Sequence, residues 1–268
     1  MDTFALTAST DGGAGEPLPI TSQEEKELRR VFDLLCNYAT QIRIIREIDD
    51  LYALIPGSKM KADKFIGSGH IVDMVRLENA NAQTQARIDE LTAELYELNN
   101  RPDKKISVSD VKEMLKQLGA KVTRQDVEEI VWEVDEDLDQ HLSWKEFKLM
   151  FTRNIKDKSG LEPNRMYNLT QFLIYDHNEN GMVSVDETMN MLYTRYGRAN
   201  MEQKLKQLFG ADLKETGLEG GEISYSKYVD AVERVQMVMF WGTTKGRILS
   251  LTKVGRMSKE ELLGTKGN

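Results

Sequence analysis

Two twelve-residue segments with the same order of oxygen-bearing side chains constrain the fold of this chain more than any other feature. Each has an acidic or amide residue at positions 1, 3 and 5, an apolar residue at position 8, serine at position 9 and glutamate at position 12. This alternation directs several oxygens to one point and suits a hard cation such as Ca²⁺. The predicted ligands are Asp135, Asp137, Asp139, His141, Ser143 and Glu146 in the first segment, and Asp176, Asn178, Asn180, Met182, Ser184 and Glu187 in the second.

The two segments differ at position 6, where such a loop turns sharply. Gly181 in the second segment completes the pattern D-x-[DN]-x-[DN]-G-x5-E, whereas Gln140 stands at this position in the first. A residue other than glycine must adopt a left-handed conformation there, at a cost of about 1–2 kcal/mol. The first segment has more ligand carboxylates and the second has the better turn, so the sequence does not rank their affinities. At position 7, His141 and Met182 contribute main-chain carbonyls, and His141 is not predicted to bind zinc.

These segments lie within four similar units of helix, polar loop and helix. The apolar residues near the end of each loop are Ile106, Leu142, Val183 and Ile223, spaced 36, 41 and 40 residues apart. We expect these residues to pair as short strands between neighbouring units.

The loops of the first and last units, Asn99–Asp110 and Thr216–Lys227, are predicted not to bind metal. Arg101 and Lys104 bring cations into the first of them, and Lys227 replaces the terminal glutamate of the other. Calcium requires a shell of oxygen ligands that these residues do not supply. We expect both loops to be structural partners, each giving a strand to the metal-binding loop beside it.

Residues from about 84 to 240 resemble the calmodulin and troponin C superfamily of EF-hand proteins. The residues that carry the resemblance most closely are Met114, Leu115, Leu118, Gly119, Thr123, Asp126, Val127, Ile130, Asp135, Glu146 and Phe147. The resemblance implies an all-α protein with two EF-hand lobes, four hands and short paired loop strands. Hands one and two would form residues 84–155, and hands three and four residues 156–240. It also implies grooves that bind protein partners. Because only two of the four loops keep their ligands, we expect up to two calcium ions, with Mg²⁺ as an alternative occupant.

Long helices are predicted ahead of the hands. Residues 1–20 are rich in glycine and proline and are expected to be disordered, and residues 21–83 are expected to be helical or coiled-coil. Apolar residues recur at heptad spacing as Leu28, Val31, Leu35, Tyr38, Ile42 and Ile45, then less regularly as Ile48, Tyr52 and Ile55. Two interpretations remain open: a helix packed on the protein's own core, or a coiled coil that binds a partner. A second helix, predicted over Ile71–Leu98, doubles as the entering helix of the first hand.

Residues 241–268 form a basic C-terminal tail. Six lysines and arginines stand there against two glutamates, with apolar residues between them. Such a segment can enter an EF-hand groove. It can also contact an acidic surface such as tubulin or an anionic membrane, or remain a disordered, solubilising tail.

Composition excludes several classes of function. The net charge of -8 disfavours nucleic acid as a partner. No apolar stretch approaches the ~20 residues that a transmembrane helix needs. Cys36 is the only cysteine, which excludes an internal disulfide and fits the cytoplasm. The three histidines are scattered and no nucleotide-binding or protease motif occurs, so we do not expect an enzyme.

The leading functional prediction is a calcium-responsive regulatory or structural subunit, held in a larger assembly by the N-terminal helices. By analogy with calmodulin-like subunits of flagellar axonemes, this assembly is expected to be cytoskeletal. Two alternatives remain: a free cytosolic calcium sensor or buffer, and an EF-hand-derived scaffold in which calcium is incidental.

Overall fold

A computed structural model describes residues 20–54, 82–157, 161–209 and 221–242, which are mainly helical. The helices are α1 (Ser22–Leu35), α2 (Tyr38–Ala53), α3 (Ala82–Asn100), α4 (Val108–Gln117), α5 (Arg124–Trp132), α6 (Trp144–Lys156), α7 (Arg165–Tyr175), α8 (Val185–Phe209) and α9 (Tyr225–Gly242). The N-terminus that the sequence predicts to be disordered, the start of the second predicted helix, most of the fourth loop and nearly all of the basic tail fall outside the described residues. No helix in the described ranges combines the length and apolar character needed to span a bilayer.

Two short antiparallel ladders join the loops in pairs. β1 (Ile106–Ser107) pairs with β2 (His141–Leu142), and β3 (Met182–Ser184) pairs with β4 (Glu222–Ser224). Ile106 lies opposite Leu142, and Val183 lies opposite Ile223, as the spacing of the units predicted. All four side chains are buried, so each ladder fixes two loops side by side above a common core.

The heptad pattern does not form one continuous helix, contrary to what its unbroken spacing suggested. The chain leaves helical geometry at Cys36 and Asn37, and Asn37 has a left-handed φ of 59°. Asparagine tolerates this conformation better than most residues, and a single such residue redirects the chain. Beyond the break, Ile42 and Ile45 are only partly buried, and the buried face moves to other residues. The buried side chains of α2 are Tyr38, Gln41, Ile44, Ile48 and Tyr52.

Helix α1 packs into the core formed by the helices around the loops. The ring of Phe32 lies 5.4 Å from that of Trp144 and 5.5 Å from that of Phe147, between ring centroids. Leu28, Val31 and Leu35 are also fully buried in this cluster. The first half of the heptad pattern therefore packs on the protein's own core, and nothing in the described residues supports a coiled coil.

A smaller core joins α2 to α3. Its buried members are Ile44, Ile48, Tyr52, Ile88, Leu91 and Leu98. Arg87 of α3 also contacts Glu47 of α2, with 2.6 Å between the guanidinium nitrogen Nη2 and Oε1. Helix α3 continues to Asn100, slightly beyond the predicted end at Leu98, and therefore reaches into the first loop. The α2–α3 pair is attached to the main core chiefly through α2 and α4.

Candidate metal centre

The three aspartates of the second loop lie together between α5 and α6. Asp135, Asp137 and Asp139 each place a carboxylate oxygen within 4.8 Å of the other two. Asp135 is buried, whereas Asp137 and Asp139 are exposed at the loop surface. Carboxylates of positions 1, 3 and 5 therefore lie around one point.

Hydrogen bonds from the main chain hold these carboxylates in place. Oδ2 of Asp135 accepts from the N–H of Gln140 at 2.8 Å, which closes the loop across the turn. Oδ1 of Asp137 accepts from Asp139 N–H at 3.3 Å, and Oδ1 of Asp139 accepts from His141 N–H at 2.8 Å. Each carboxylate is thus oriented by an N–H two to five residues further along. The imidazole of His141 contacts the Asp139 carbonyl oxygen at 2.9 Å.

The third loop uses the same scaffold with a different set of side chains. Asp176 accepts from Gly181 N–H at 2.9 Å and from Asn180 N–H at 3.0 Å. Asn178 accepts from Asn180 N–H at 3.0 Å, and Asn180 accepts from Met182 N–H at 2.7 Å. The two loops therefore share one backbone hydrogen-bond plan although only two of the five ligand side chains of the third loop are carboxylates.

The backbone turns through left-handed conformations at positions 4 and 6 of both loops. Gln140 has a φ of 66°, which confirms the prediction for this residue, and Gly181 has a φ of 78°. At position 4, Leu138 and Glu179 have φ values of 59° and 58°, which the sequence did not indicate. The strain of a side chain at position 6 is therefore confined to the second loop.

Serine at position 9 and glutamate at position 12 form a capping box at the start of the next helix. In the second loop, Glu146 Oε2 accepts from Ser143 N–H at 2.9 Å and from its hydroxyl at 2.6 Å. In the third loop, Glu187 Oε2 accepts from Ser184 N–H at 2.9 Å and from its hydroxyl at 2.8 Å. One glutamate oxygen in each loop thus orders the helix N-terminus and leaves the other oxygen free of the cap.

The second glutamate oxygen is where the two loops differ. Oε1 of Glu146 accepts hydrogen bonds from the N–H groups of Glu136 and Asp137, at 3.0 and 3.4 Å. Oε1 of Glu187 is buried and has no hydrogen-bond partner among the described residues. A buried carboxylate oxygen without a partner lowers the stability of the fold, because its hydrogen bonds to water are lost and not replaced. A cation at the centre of the third loop would supply the missing partner, so these residues fit the ion that the EF-hand pattern implies.

Burial and hydrogen bonding set the ionisation of the ligand carboxylates. Burial raises the pKa of Asp176 to about 6, against the lowering effect of hydrogen bonds from Gly181 and Asn180. Burial also acts to raise the pKa of Glu146, but hydrogen bonds, chiefly from Ser143, hold it below its usual value. A carboxylate whose charged form is disfavoured by burial gains most from a nearby cation.

A lysine from the first loop contacts the second loop. The ammonium of Lys105 bonds Oδ2 of Asp139, and this hydrogen bond lowers the pKa of Asp139 and raises that of Lys105. The neighbouring Lys104 instead forms an ion pair with Asp33 of α1, with 3.7 Å between Nζ and Oδ1. The sequence suggested cations within the first loop, but it did not indicate that one of them reaches the second.

The first loop uses its last residue to hold α2. Asp110, at position 12, is buried, and its Oδ1 accepts from the N–H of Ala39 at 2.9 Å. Its Oδ2 accepts from the N–H and hydroxyl of Ser107 at 2.8 and 2.6 Å, forming the capping box of α4. Asn37 makes no side-chain hydrogen bond as the N-cap of α2, so Asp110 supplies an acceptor to that helix start. The sequence missed this role, because the two residues are 71 positions apart.

Helix α1 also contacts the third loop. The guanidinium of Arg30 donates to the carbonyl oxygen of Leu173 at 2.8 Å and lies 3.3 Å from Oε1 of Glu179. Oε2 of Glu27 accepts a hydrogen bond from Nε of the same guanidinium at 2.9 Å. These side chains are mostly shielded from solvent, so α1 and the third loop are joined by a partly buried ionic network. Of the fourth loop, only Gly221–Lys227 is described, with Ile223 buried and Lys227 exposed.

Comparison with known proteins finds similarity to EF-hand proteins in part of the chain. Residues 89–152 match the family model of the EF-hand domain pair, a span that contains the first ladder and the second loop. Calcium-binding protein CML19 of Arabidopsis thaliana is 25% identical over 155 residues, which cover 52% of this chain and 89% of that protein. Both matches support an EF-hand, calmodulin-like architecture. The third loop lies outside the span of the family model and is recognised here by its own geometry.

Proposed function

We propose that this chain is a calcium-binding protein without enzymatic activity, with ions held by the loops Asp135–Glu146 and Asp176–Glu187. The observation that carries the proposal is the oxygen Oε1 of Glu187, buried without a hydrogen-bond partner in the described part of the chain. It lies in the third loop, whose hydrogen bonds repeat those of the second loop. The second loop lies within the EF-hand match. Two different sets of side chains arranged on one backbone plan indicate a shared ligand.

Isothermal titration of the full chain with calcium, at physiological magnesium, tests this proposal. We expect two bound ions for the unmodified protein and one for either Glu146→Gln or Glu187→Gln, since the glutamate at position 12 provides the bidentate ligand. Each glutamine keeps an oxygen for the serine cap, so the helices should persist. Absence of calcium binding by the unmodified protein would contradict the proposal, and unchanged stoichiometry in both variants would contradict the ligand assignment.

The finer role that we propose is a subunit of a larger cytoplasmic assembly, of the cytoskeletal or axonemal kind. Its support is the burial of α1, since a helix locked in the core suits a fixed component better than a freely opening messenger. Trp132, at the end of α5, is 68% exposed, and Leu138, at position 4 of the second loop, is 66% exposed. Exposed apolar surface often marks interaction sites, and these two side chains offer such surface to a partner near the proposed ion.

Co-sedimentation with microtubules tests the cytoskeletal part of this proposal. The full chain should pellet with microtubules, and a chain ending at residue 242 should not if the basic tail makes the contact. A Trp132→Ala variant with an intact tail reports separately on the apolar surface. Equal recovery of all three proteins in the absence of microtubules would show that the sedimentation is nonspecific.

A second candidate is a scaffold whose calcium ions are structural. The aromatic contacts of Phe32 with Trp144 and Phe147 favour it, because α1 already covers the apolar faces that a sensor would expose. Binding of an environment-sensitive hydrophobic dye, with and without calcium, separates the candidates. Calcium raises dye fluorescence for a sensor, whereas for a scaffold it raises only the melting temperature. A free cytosolic sensor predicts the former result, whereas a free buffer, whose hands barely open, predicts the latter.

A further inference from the structure

Lys105 reaches the ligand set of a loop to which it does not belong. It directly precedes β1, and the ladder that pairs Ser107 with His141 fixes the first loop beside the second. Its ammonium contacts Oδ2 of Asp139, which is the position 5 ligand of the second loop. The same charge also acts on Asp137 and Glu146, two further predicted ligands. A tethered cation thus lies at the edge of the second candidate metal centre.

The third loop has no equivalent cation in the described part of the chain. Its ligand side chains form no ion pair with a described lysine or arginine, although Arg30 contacts Glu179 at the non-ligand position 4. Instead, the buried oxygen Oε1 of Glu187 lacks a hydrogen-bond partner among these residues. The charge of the second loop is therefore partly neutralised by a lysine of the first loop, whereas the third loop has a buried acceptor without a partner among the described residues.

We propose that Lys105 is a built-in competitor for the calcium ion of the second hand and lowers the calcium affinity of that hand. This inference rests on the proposed binding of calcium by both loops. For the second loop to bind, Asp139 must exchange its ammonium partner for the metal. Because Lys105 remains attached to β1, its charge stays near and repels the divalent ion. Charges a few ångströms apart at a solvated surface change an affinity by about three- to tenfold, less in high salt.

Calcium titrations in a Glu187→Gln background test this inference, since only the second loop then keeps its terminal glutamate. Three variants are compared with that parent: Lys105→Gln, which removes the charge; Lys105→Arg, which keeps it; and Lys104→Gln, which removes an adjacent charge that pairs with Asp33 instead. Lys105→Gln should bind at least about threefold more tightly, and the other two should stay within about twofold of the parent. High salt should shrink the difference. Melting curves in chelator verify that each variant is folded.

Equal affinity of the parent and Lys105→Gln would overturn the inference, as would an equal gain in Lys104→Gln, which would indicate a general charge effect. If the parent shows no binding, Lys105→Gln must restore it, and continued absence counts against Lys105 as the limiting group. In a Glu146→Gln background, Lys105→Gln should leave the affinity of the third loop unchanged. Failure of the proposed function looks different, because the unmodified chain then binds no calcium at all.

Discussion

The carboxylate oxygen Oδ1 of Asp110 lies 2.9 Å from the amide nitrogen of Ala39 and accepts its hydrogen bond. The residue that would complete a metal site in the first loop thus anchors the start of α2. We expect Asp110→Ala to lower the free energy of unfolding by about 2 kcal/mol, because a buried acceptor is lost from two helix starts. Hydrogen exchange at residues 38–42 should rise in the same variant. Ser107→Ala, which weakens only the cap of α4, should leave that exchange unchanged.

Phe32→Ala should destabilise the protein by about 3–5 kcal/mol, because truncation leaves a cavity between α1 and α6. Phe32 is 1% exposed and contacts the rings of Trp144 and Phe147. Chemical unfolding followed by tryptophan fluorescence measures the loss. Ile45→Ala, at a partly buried position of α2, serves as the comparison and should cost much less. Comparable losses would mean that α1 is not the helix that holds this core.

Arg30→Gln should loosen the third loop, whereas Arg29→Gln should not. Arg30 bonds the Leu173 carbonyl and pairs with two shielded glutamates, so its loss costs about 1–2 kcal/mol. Arg29 pairs with Asp33 at an exposed site, where such pairs contribute little. Hydrogen exchange of the peptide covering residues 173–181 is the measurement. Equal exchange in both variants would show that the Arg30 network does not hold the loop.

Exchanging the residues at position 6 of the two loops should have opposite effects on stability. Gln140→Gly should stabilise the chain by about 0.5–1 kcal/mol, because relief of left-handed strain exceeds the extra entropy of glycine in the unfolded chain. Gly181→Gln should destabilise it by about 1–2 kcal/mol for the same reason in reverse. Thermal melts in chelator measure both changes. A loss of stability in Gln140→Gly would contradict the strain assigned to its φ of 66°.

Cys36 should resist alkylation in the folded protein at pH 8. Its thiol is buried, and burial together with the nearby charge of Asp33 raises its pKa to about 12. Because the folded-state pKa is above the usual value, the reactive thiolate is scarce at pH 8 and forms only as the chain unfolds. Mass spectrometry after iodoacetamide treatment should find the native protein unmodified and the denatured protein labelled. Rapid labelling of the native protein would contradict the docking of this segment.

The loops could be predicted from the sequence because their chemistry is local. A hydrogen bond such as that from Gln140 to Asp135 joins residues five positions apart, so the pattern of residue types almost determines it. The pairing of Ile106 with Leu142 followed from the repeat of the units. The left-handed turn at Gln140 was predictable because the loop pattern normally has glycine at position 6. The pattern has no such signal at position 4, so the turn at Leu138 was not predicted.

The docking of the N-terminal helices could not be predicted in the same way. The heptad spacing continues across Asn37. The left-handed conformation of Asn37 redirects the chain, so that a different face of α2 is buried. Asn37 itself was the one available signal, since asparagine adopts this conformation readily. The contacts of Asp110 with Ala39 and of Lys105 with Asp139 depend on residues distant in sequence, which a motif cannot indicate.

The position of α1 has a consequence for how the molecule responds as a whole. This helix contacts α4, α6 and α7, which belong to the first, second and third units. A chain with two separate lobes could melt in two steps, but here neither half can lose its core without disturbing the other. We therefore expect a single cooperative unfolding transition, in which an ion bound at one loop protects residues far from it. The protein would then report calcium as resistance to unfolding rather than as a change of shape.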